Sequence, residues 1–393
     1  RIWTEDSFAV SSSECLRSFI DRPEKCLSSL KFSFSVVDGL PSNITHLDID
    51  VTSRIPTESW NSLPPHLVHF RLFLDNTFDC SDEHFMSKLP KSLINFELYA
   101  HQKLWSFRPG DRFNDGLESI FIDGVRGVCL DVDRKILPDG LKSLILSDVD
   151  FLNVTNLPES LTFLEIGGCS RIDDQDEMDV SNIMHSKLKT VLLNCSLHFY
   201  SLTKFPSSIT HISFRSHARD FSTTTICLLP KTLTRIDCMT ITGDPVDFTN
   251  LINLKRLSKL SMWAPAVYYG DIGNPDRQRL PLFLAPPSLE YLSCTGLWYP
   301  TPIPSNLKTL KMDSIALSMY KGAKGYLCID ELPKSITKLE VNRIVLVGCG
   351  EVVMENVISL KYLCLSQSRL YREKFGELIL RTFPSLETLE TCQ

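Results

Sequence analysis

Nowhere does the 393-residue chain hold a run approaching the ~20 consecutive apolar residues that cross a bilayer as a helix, so a membrane-spanning helix is excluded. It also lacks a long Lys/Arg run. With 41 Lys+Arg against 47 Asp+Glu and a net charge of −6, a nucleic acid held mainly through its phosphates is a poor partner. The residues after Arg1 lack a basic segment followed by an apolar one, so no secretory signal is expected. None of the thirteen cysteines forms a Cys-x-x-Cys pair, which argues against a disulfide framework or a structural zinc site. They read as thiols in the cytoplasm or another reducing intracellular compartment, the interior of a viral or organellar assembly included. Dinucleotide-binding, Walker-type, zinc-protease and nucleophile-elbow motifs are all missing. The chain is therefore expected not to be an enzyme, and no cofactor, metal or small-molecule substrate is assigned. Disorder is excluded as the main state, since 43% of residues are hydrophobic and only 22% charged.

What the chain has is a repeat. LPSNITHLDI at 40–49, LPPHLVHFRL at 63–72, LPKSLINFEL at 89–98 and LPDGLKSLIL at 137–146 share one frame. LPESLTFLEI at 157–166, FPSSITHISF at 205–214, LPKTLTRIDC at 229–238, IPSNLKTLKM at 303–312 and LPKSITKLEV at 332–341 continue it. Less regular copies fill the gaps. The first apolar residue of each phrase gives sixteen anchors: Leu27, Ile44, Leu67, Leu93, Leu117, Leu141, Leu161, Leu188, Ile209, Leu233, Leu257, Leu289, Leu307, Ile336, Leu360 and Leu386. Their mean spacing is about 24 residues, within the range of stacked solenoid units. Ten anchors have a proline three positions before them, where a fixed φ and a missing N–H suit a turn leading into a strand. Alternation after the anchor sends leucines to one face of a short strand and the intervening residues to the other. One unit cannot bury its apolar side alone, so neighbours must stack.

These phrases resemble leucine-rich repeats across roughly Leu27–Leu389. The leading Leu-Pro-x-x-Leu resembles the bacterial Leu-Pro subtype, and Ile/Leu-Pro-x-Ser-Ile/Leu-Thr resembles FNIP-type repeats. The resemblance implies an α/β solenoid, a horseshoe with one long parallel sheet on its concave face and mostly irregular or 3₁₀ convex segments. The family's usual asparagine, eight residues after the anchor, is replaced throughout. No asparagine ladder is expected, and Val125, Val149, Ile241, Leu297, Ile315 and Ile344 are expected to pack in its place. Residues 1–26 are expected to form an N-terminal capping segment, and 27–393 a single solenoid domain of about 16 units. Helix is expected only at Glu14–Ile20, Asp176–His185 and Leu370–Arg381, with inserted loops around 263–287 and 313–331.

The face opposite the leucines is the candidate binding surface. It carries Phe73, Tyr99, Phe121, Phe163, Trp263, Tyr291 and Tyr362 at positions a core would not fill. His46, Asp48, Asp50, His69, Arg71, Glu97, Arg215 and Arg235 supply mixed charge around them. His46, Asp48 and His69 also stand at the spacing at which adjacent strands bring metal ligands together, although an Asp48–Arg71 pair in a binding strip explains the same residues. Five carboxylates in RIDDQDEMD at 171–179 read as a solvated insertion, not a calcium loop. Balanced charge with aromatics points to protein partners, with no membrane role and nucleic acid disfavoured. Three roles fit: a recognition or scaffold module, a structural subunit of a virion or ribonucleoprotein particle, or the substrate arm of a ubiquitin ligase. The C-terminal strand near Leu389 is expected to be covered by another chain or continued by further residues, because solenoid edges need capping.

Overall fold

The computed structural model describes residues 7–10, 29–33, 40, 42–51, 57–74, 85–104, 112–126, 136–148, 157–167, 187–194, 205–214, 226–237, 240–242, 246–263, 283–294, 303–318, 327–328, 333–347, 362–366 and 387–392. The three expected helices fall outside these residues. So do Val149, Leu297 and the side chains of Val125, Ile241, Ile315 and Ile344.

Many strands begin at a turn closed by their own proline. The anchor N–H donates to the carbonyl three residues back, from Leu67 to Pro64 at 3.2 Å, Leu93 to Pro90 at 3.1 Å, Leu161 to Pro158 at 3.0 Å and Ile336 to Pro333 at 3.1 Å. Only the carbonyl is used at that position, so proline's missing N–H costs nothing there. The residue after the anchor then receives two N–H groups from the next unit. Thr45 O accepts from Val68 N at 2.8 Å and His69 N at 2.9 Å, and Lys255 O accepts from Glu290 N at 2.8 Å and Tyr291 N at 3.0 Å. This joint fixes the register of every strand that follows.

The chain divides into two compact units, Arg1–Ser196 and Leu197–Gln393. In the first, nine parallel strands pair in sequence order: β1 (Ser7–Val10), β2 (Ser29–Ser33), β3 (His46–Val51), β4 (His69–Leu74), β5 (Asn95–Leu104), β6 (Ser119–Arg126), β7 (Ser143–Ser147), β8 (Phe163–Gly167) and β9 (Thr190–Asn194). Strand β1 lies within the 1–26 segment and runs in register with β2, Ser7 against Ser29. Alternation puts Leu47, Ile49, Phe70, Leu72, Phe96, Leu98, Ile120, Ile122, Leu144 and Leu146 in the core. Each such side chain contributes roughly 1.5–3 kcal/mol through burial. An aromatic spine crosses the core, with Phe70–Phe96 at 5.8 Å and Phe96–Phe113 at 5.9 Å between ring centroids. Two 3₁₀ helices, Thr57–Ser62 and Phe85–Lys88, close it from the far side with Trp60 and Met86.

The second unit contains β10 (His211–Phe214), β11 (Arg235–Asp237), β12 (Thr240–Thr242), β13 (Val246–Asp247), β14 (Arg256–Trp263), β15 (Phe283–Leu284), β16 (Tyr291–Cys294), β17 (Thr309–Ser318), β18 (Leu327–Cys328), β19 (Lys338–Val347), β20 (Tyr362–Ser366) and β21 (Thr388–Cys392). Its main parallel ladder runs β10, β11, β14, β16, β17, β19, β20, β21. Strand β12 pairs with the end of β14, β18 with the end of β17, and β13 with β15. Cys294 is buried as its core position requires, Cys238 lies outside the described residues, and Cys227 is an exposed thiol.

The expected solenoid of stacked parallel strands is present in each unit, with three differences in detail. Residues 313–318 continue β17 and pair with β19 as far as Ser318 against Val347, so the insertion is shorter than expected. The unit containing β14 is anchored by Leu254, whose N–H closes the turn on Leu251 O at 2.9 Å, and not by Leu257. Leu251, Leu254, Leu257 and Leu260 repeat every third residue with no proline to set the frame, which is why the sequence reads equally well three residues out.

The third difference is a ladder. Side chains bridge successive turns from a position the repeat frame does not single out, the residue just before the anchor. Ser92 Oγ donates to Pro65 O and Leu67 O at 2.8 Å each, and Ser160 Oγ to Leu141 O at 2.6 Å. Thr232, Ser288 and Ser335 repeat the bond to Ile209, Leu254 and Leu307 carbonyls. Asn253 and Asn306 do the same with their amides, to Lys231 O and Pro287 O. At Leu117 the preceding residue is Gly116, and Asn114 reaches Pro90 O at 2.8 Å instead. A β-carbon on Gly116 would lie 2.7 Å from Lys91 O, so only glycine fits there.

Candidate recognition surface

On the open face of the first unit, register rows set which side chains meet. One row aligns Asp48, Arg71, Glu97 and Phe121 across β3–β6 and continues through Ile145, Glu165 and Leu192. Arg71 is its hub. Its Nε donates to Glu97 at 2.7 Å and an Nη to Asp48 at 3.2 Å, with Arg71 and Asp48 side chains only 14% exposed. The Tyr99 hydroxyl donates to the same Glu97 oxygen at 2.9 Å. Burial alone would raise the Glu97 carboxyl, but the bonds from Arg71 and Tyr99 offset this and hold it below its ordinary value. The Arg71 guanidinium is in turn held more firmly protonated by Glu97. Pairs this shielded resist solvent screening better than exposed ones.

The row beside it aligns His46, His69 and Asn95. The two imidazoles stack at 5.8 Å, Thr45 Oγ1 lies 3.0 Å from His46 Nδ1, and His69 Nε2 is 3.7 Å from Glu97. Burial lowers the His69 pKa, with Glu97 opposing the shift. Stacked rings do not converge on a point, and Asp48 is held by Arg71. Among the described residues no cluster of three or more His, Cys, Asp or Glu can hold a metal ion.

The third row aligns Asp50, Phe73, Tyr99 and Asp123. Phe73 and Tyr99 stack with centroids 4.6 Å apart and planes 13° from parallel, and Phe121 leans on Tyr99 at 4.9 Å and 39°. Just past this row the β5–β6 register shifts, and Gly124 takes a φ of 73°. A bulge of this kind ends regular pairing and sets the direction of the side chains beside it. Phe163 stands half-buried between Ser143 and Thr190 in the histidine row.

The second unit carries a different arrangement. Its outermost row aligns His211, Arg235, Arg256 and Tyr291, and the next aligns Ser213, Asp237 and Ser258, all three buried. Asp237 gathers the group. His211 Nε2 is 2.9 Å from its Oδ2, Arg235 Nε donates to the same oxygen at 2.5 Å, and Ser258 Oγ donates to Oδ1. Burial would raise this carboxyl, yet the bonds from His211, Ser258 and Arg235 bring it down to about 2. Arg256 Nε donates to Ser258 at 3.2 Å and its guanidinium lies 4.1 Å over the Tyr291 ring. A serine, histidine and aspartate meet here in the wrong order for catalysis, because the carboxylate, not the imidazole, holds the serine hydroxyl. Farther along, Glu340 accepts from Lys311 at 2.7 Å and Lys338 at 2.6 Å.

The structure thus brings together His46, Asp48, Asp50, His69, Arg71, Phe73, Glu97, Tyr99 and Phe121 in the first unit, and Arg235 with Tyr291's neighbour Arg256 in the second. Arg215 lies outside the described residues. Trp263 falls at the end of β14, beyond a register shift between Leu257 and Leu260, and pairs with Thr242; Tyr362 lies on β20 between Lys338 and Thr388. The side chains of both lie outside those described. Sequence reasoning missed Arg256 and Ser258 through the frame of β14. It also missed that His211 and Asp237, in different rows, meet diagonally.

No family profile matches the chain, and no curated protein matches it by sequence. Among solved structures it is similar to the crystal structure of CroV588, a novel circular leucine-rich-repeat protein, at 17% identity. That match covers 99% of this chain and 70% of the other, with a TM-score of 0.51. It is also similar to the mouse RP105/MD-1 complex at 13% identity, over 92% of this chain and 70% of that one, with a TM-score of 0.40. The likeness to CroV588 and the stacked parallel strands together show a leucine-rich-repeat solenoid fold.

Proposed function

We propose that this chain is a non-enzymatic recognition or scaffold module that holds a protein partner on the open face of its parallel sheet. The observation that carries this reading is the stack of Phe73, Tyr99 and Phe121, which stands on the side of the sheet away from the leucine core. A soluble strand face gains little from three adjoining aromatic rings, whereas interfaces are enriched in them. The Arg71 hub holds the rings' surroundings rigid, so little ordering is lost when a partner docks. A photo-crosslinking residue at position 73, illuminated in extract from the native source, should give a discrete protein adduct. The same residue at position 142, an exposed turn position beside the strand face, should not. Adducts of equal yield at both positions, or at neither, would refute this function.

A further inference from the structure

We propose that Arg235 and Arg256, on the open face of the second unit, seat a carboxylate from an acidic segment of a protein partner. This inference rests on the reading of the open face as a protein-binding surface, and adds a second contact of different chemistry. The two arginines stand directly opposite each other on the adjacent parallel strands β11 and β14. Each is fixed through its Nε alone. Arg235 donates to Asp237 at 2.5 Å and Arg256 to Ser258 at 3.2 Å, and Ser258 and Asp237 are buried and bonded to one another. The Arg256 guanidinium also rests 4.1 Å over the Tyr291 ring. Both arginines are exposed, and their Nη groups bond to none of the described residues. What each fork leaves open is its Nη–Nη edge, whose two parallel donors match the two oxygens of a carboxylate. With the Nε ends already tied down, little ordering is lost when a ligand arrives.

The local charges decide the sign of the ligand. Like charges facing each other across neighbouring strands repel, and Asp237 offsets only one of the two guanidiniums. Glu290, just before β16, is taken by Lys308 at 2.7 Å. Glu340 on β19 is taken by Lys311 at 2.7 Å and Lys338 at 2.6 Å. A carboxylate bonded to both arginines supplies the charge that neither of these provides. The pair is also isolated, which decides the kind of ligand. On one side His211 is turned to Asp237. On the other, Tyr291 and Thr309 follow in the row, and the next cation, Lys338, lies three strands on, about 14 Å away at ~4.8 Å per strand. A nucleic acid held through successive phosphates would find one contact where it needs a track. A protein segment needs to place only one acidic side chain there, and the uncompensated cation steers it in.

The test uses the full chain and fluorescein-labelled peptides of twelve residues alternating serine with glutamate or glutamine, alongside a labelled twelve-nucleotide oligothymidylate. Anisotropy should show the glutamate peptide binding, and the glutamine peptide and the oligothymidylate at least about tenfold more weakly. Arg235→Gln and Arg256→Gln should each weaken glutamate-peptide binding on the order of tenfold and flatten its salt dependence. Arg256→Lys, which keeps the charge but not the fork, should weaken it about threefold. Lys231→Gln, which removes an exposed cation from the turn before β11, should leave it within about twofold. Circular dichroism would verify that each variant is folded. Arg256→Gln leaves all three donors to Asp237 in place, so it decides the matter should Arg235→Gln not fold. Equal binding of the glutamate and glutamine peptides, full binding by Arg256→Gln, or oligothymidylate binding as tightly as the glutamate peptide would overturn the inference. If crosslinking at position 73 still captures a protein in that case, the recognition role stands and only the acidic ligand is lost; if it captures nothing, both fall.

Discussion

At Asp237 one carboxylate accepts from an imidazole, a guanidinium and a hydroxyl while its side chain is only 12% exposed. Asp237→Asn keeps the shape but turns an amide N–H₂ toward donors. It should cost roughly 2–4 kcal/mol in urea unfolding at pH 7, because buried partners lose their acceptor. The pH dependence follows from the direction of the shift. The folded-state value of about 2 lies below the usual 3.8, so the stabilisation is complete above pH 3.8 and disappears as the pH falls from there through 2. The native chain should therefore lose about 2 kcal/mol across that window that Asp237→Asn does not. Urea midpoints at pH 5 and pH 2.5 that fall equally in both would show the carboxylate to be unimportant. His69, held below its usual 6.5 by burial, contributes at a different pH: its share is present above 6.5 and wanes as the pH drops below it.

At the level of the turn and strand, each unit depends on close approach to the one before. Gly116→Ala should destabilise by about 1–3 kcal/mol, since the new methyl would sit 2.7 Å from the Lys91 carbonyl oxygen. Gly140→Ala is the control. Its β-carbon would lie 3.5 Å from Asp115 O, an ordinary contact, and its urea midpoint should match the native chain. Equal losses at the two glycines would mean that the contact at Gly116 is relieved by relaxation. Most of this architecture was legible in the sequence because the proline marks where each strand begins and the leucine alternation marks which way it faces. Once those two signals fix the register, Asp48, Arg71 and Glu97 fall into one row with no further information. The serine and threonine ladder was not legible, because a polar residue before a leucine looks the same whether it bonds a neighbouring carbonyl or water. Leu254 was missed for a related reason: leucines at every third position satisfy two frames, and only the hydrogen bond to Leu251 O separates them.

For the whole molecule, units that stack only on their neighbours make damage local. Leu98 is completely buried in β5, and Leu98→Ala should cost about 2–5 kcal/mol. Hydrogen exchange should quicken in β4, β5 and β6 and leave the amides of β16 and β17 at native rates. Uniform acceleration through all strands would instead show that the chain unfolds as one cooperative block. The joints at the strand starts also have a direction. Val68 and His69 donate back to Thr45, Thr337 and Lys338 donate back to Lys308, and Ser335 reaches back to Ser305 and Leu307. At each of these joints the donor is the later residue and the acceptor the earlier one. A chain leaving the ribosome N-terminus first therefore finds the acceptors for each new turn already in place, and can set its units down in order as they are synthesised. The core-side bonds from Phe113 to Ile136 and from Phe248 to Leu284 run the other way, and these close only after the following unit has emerged.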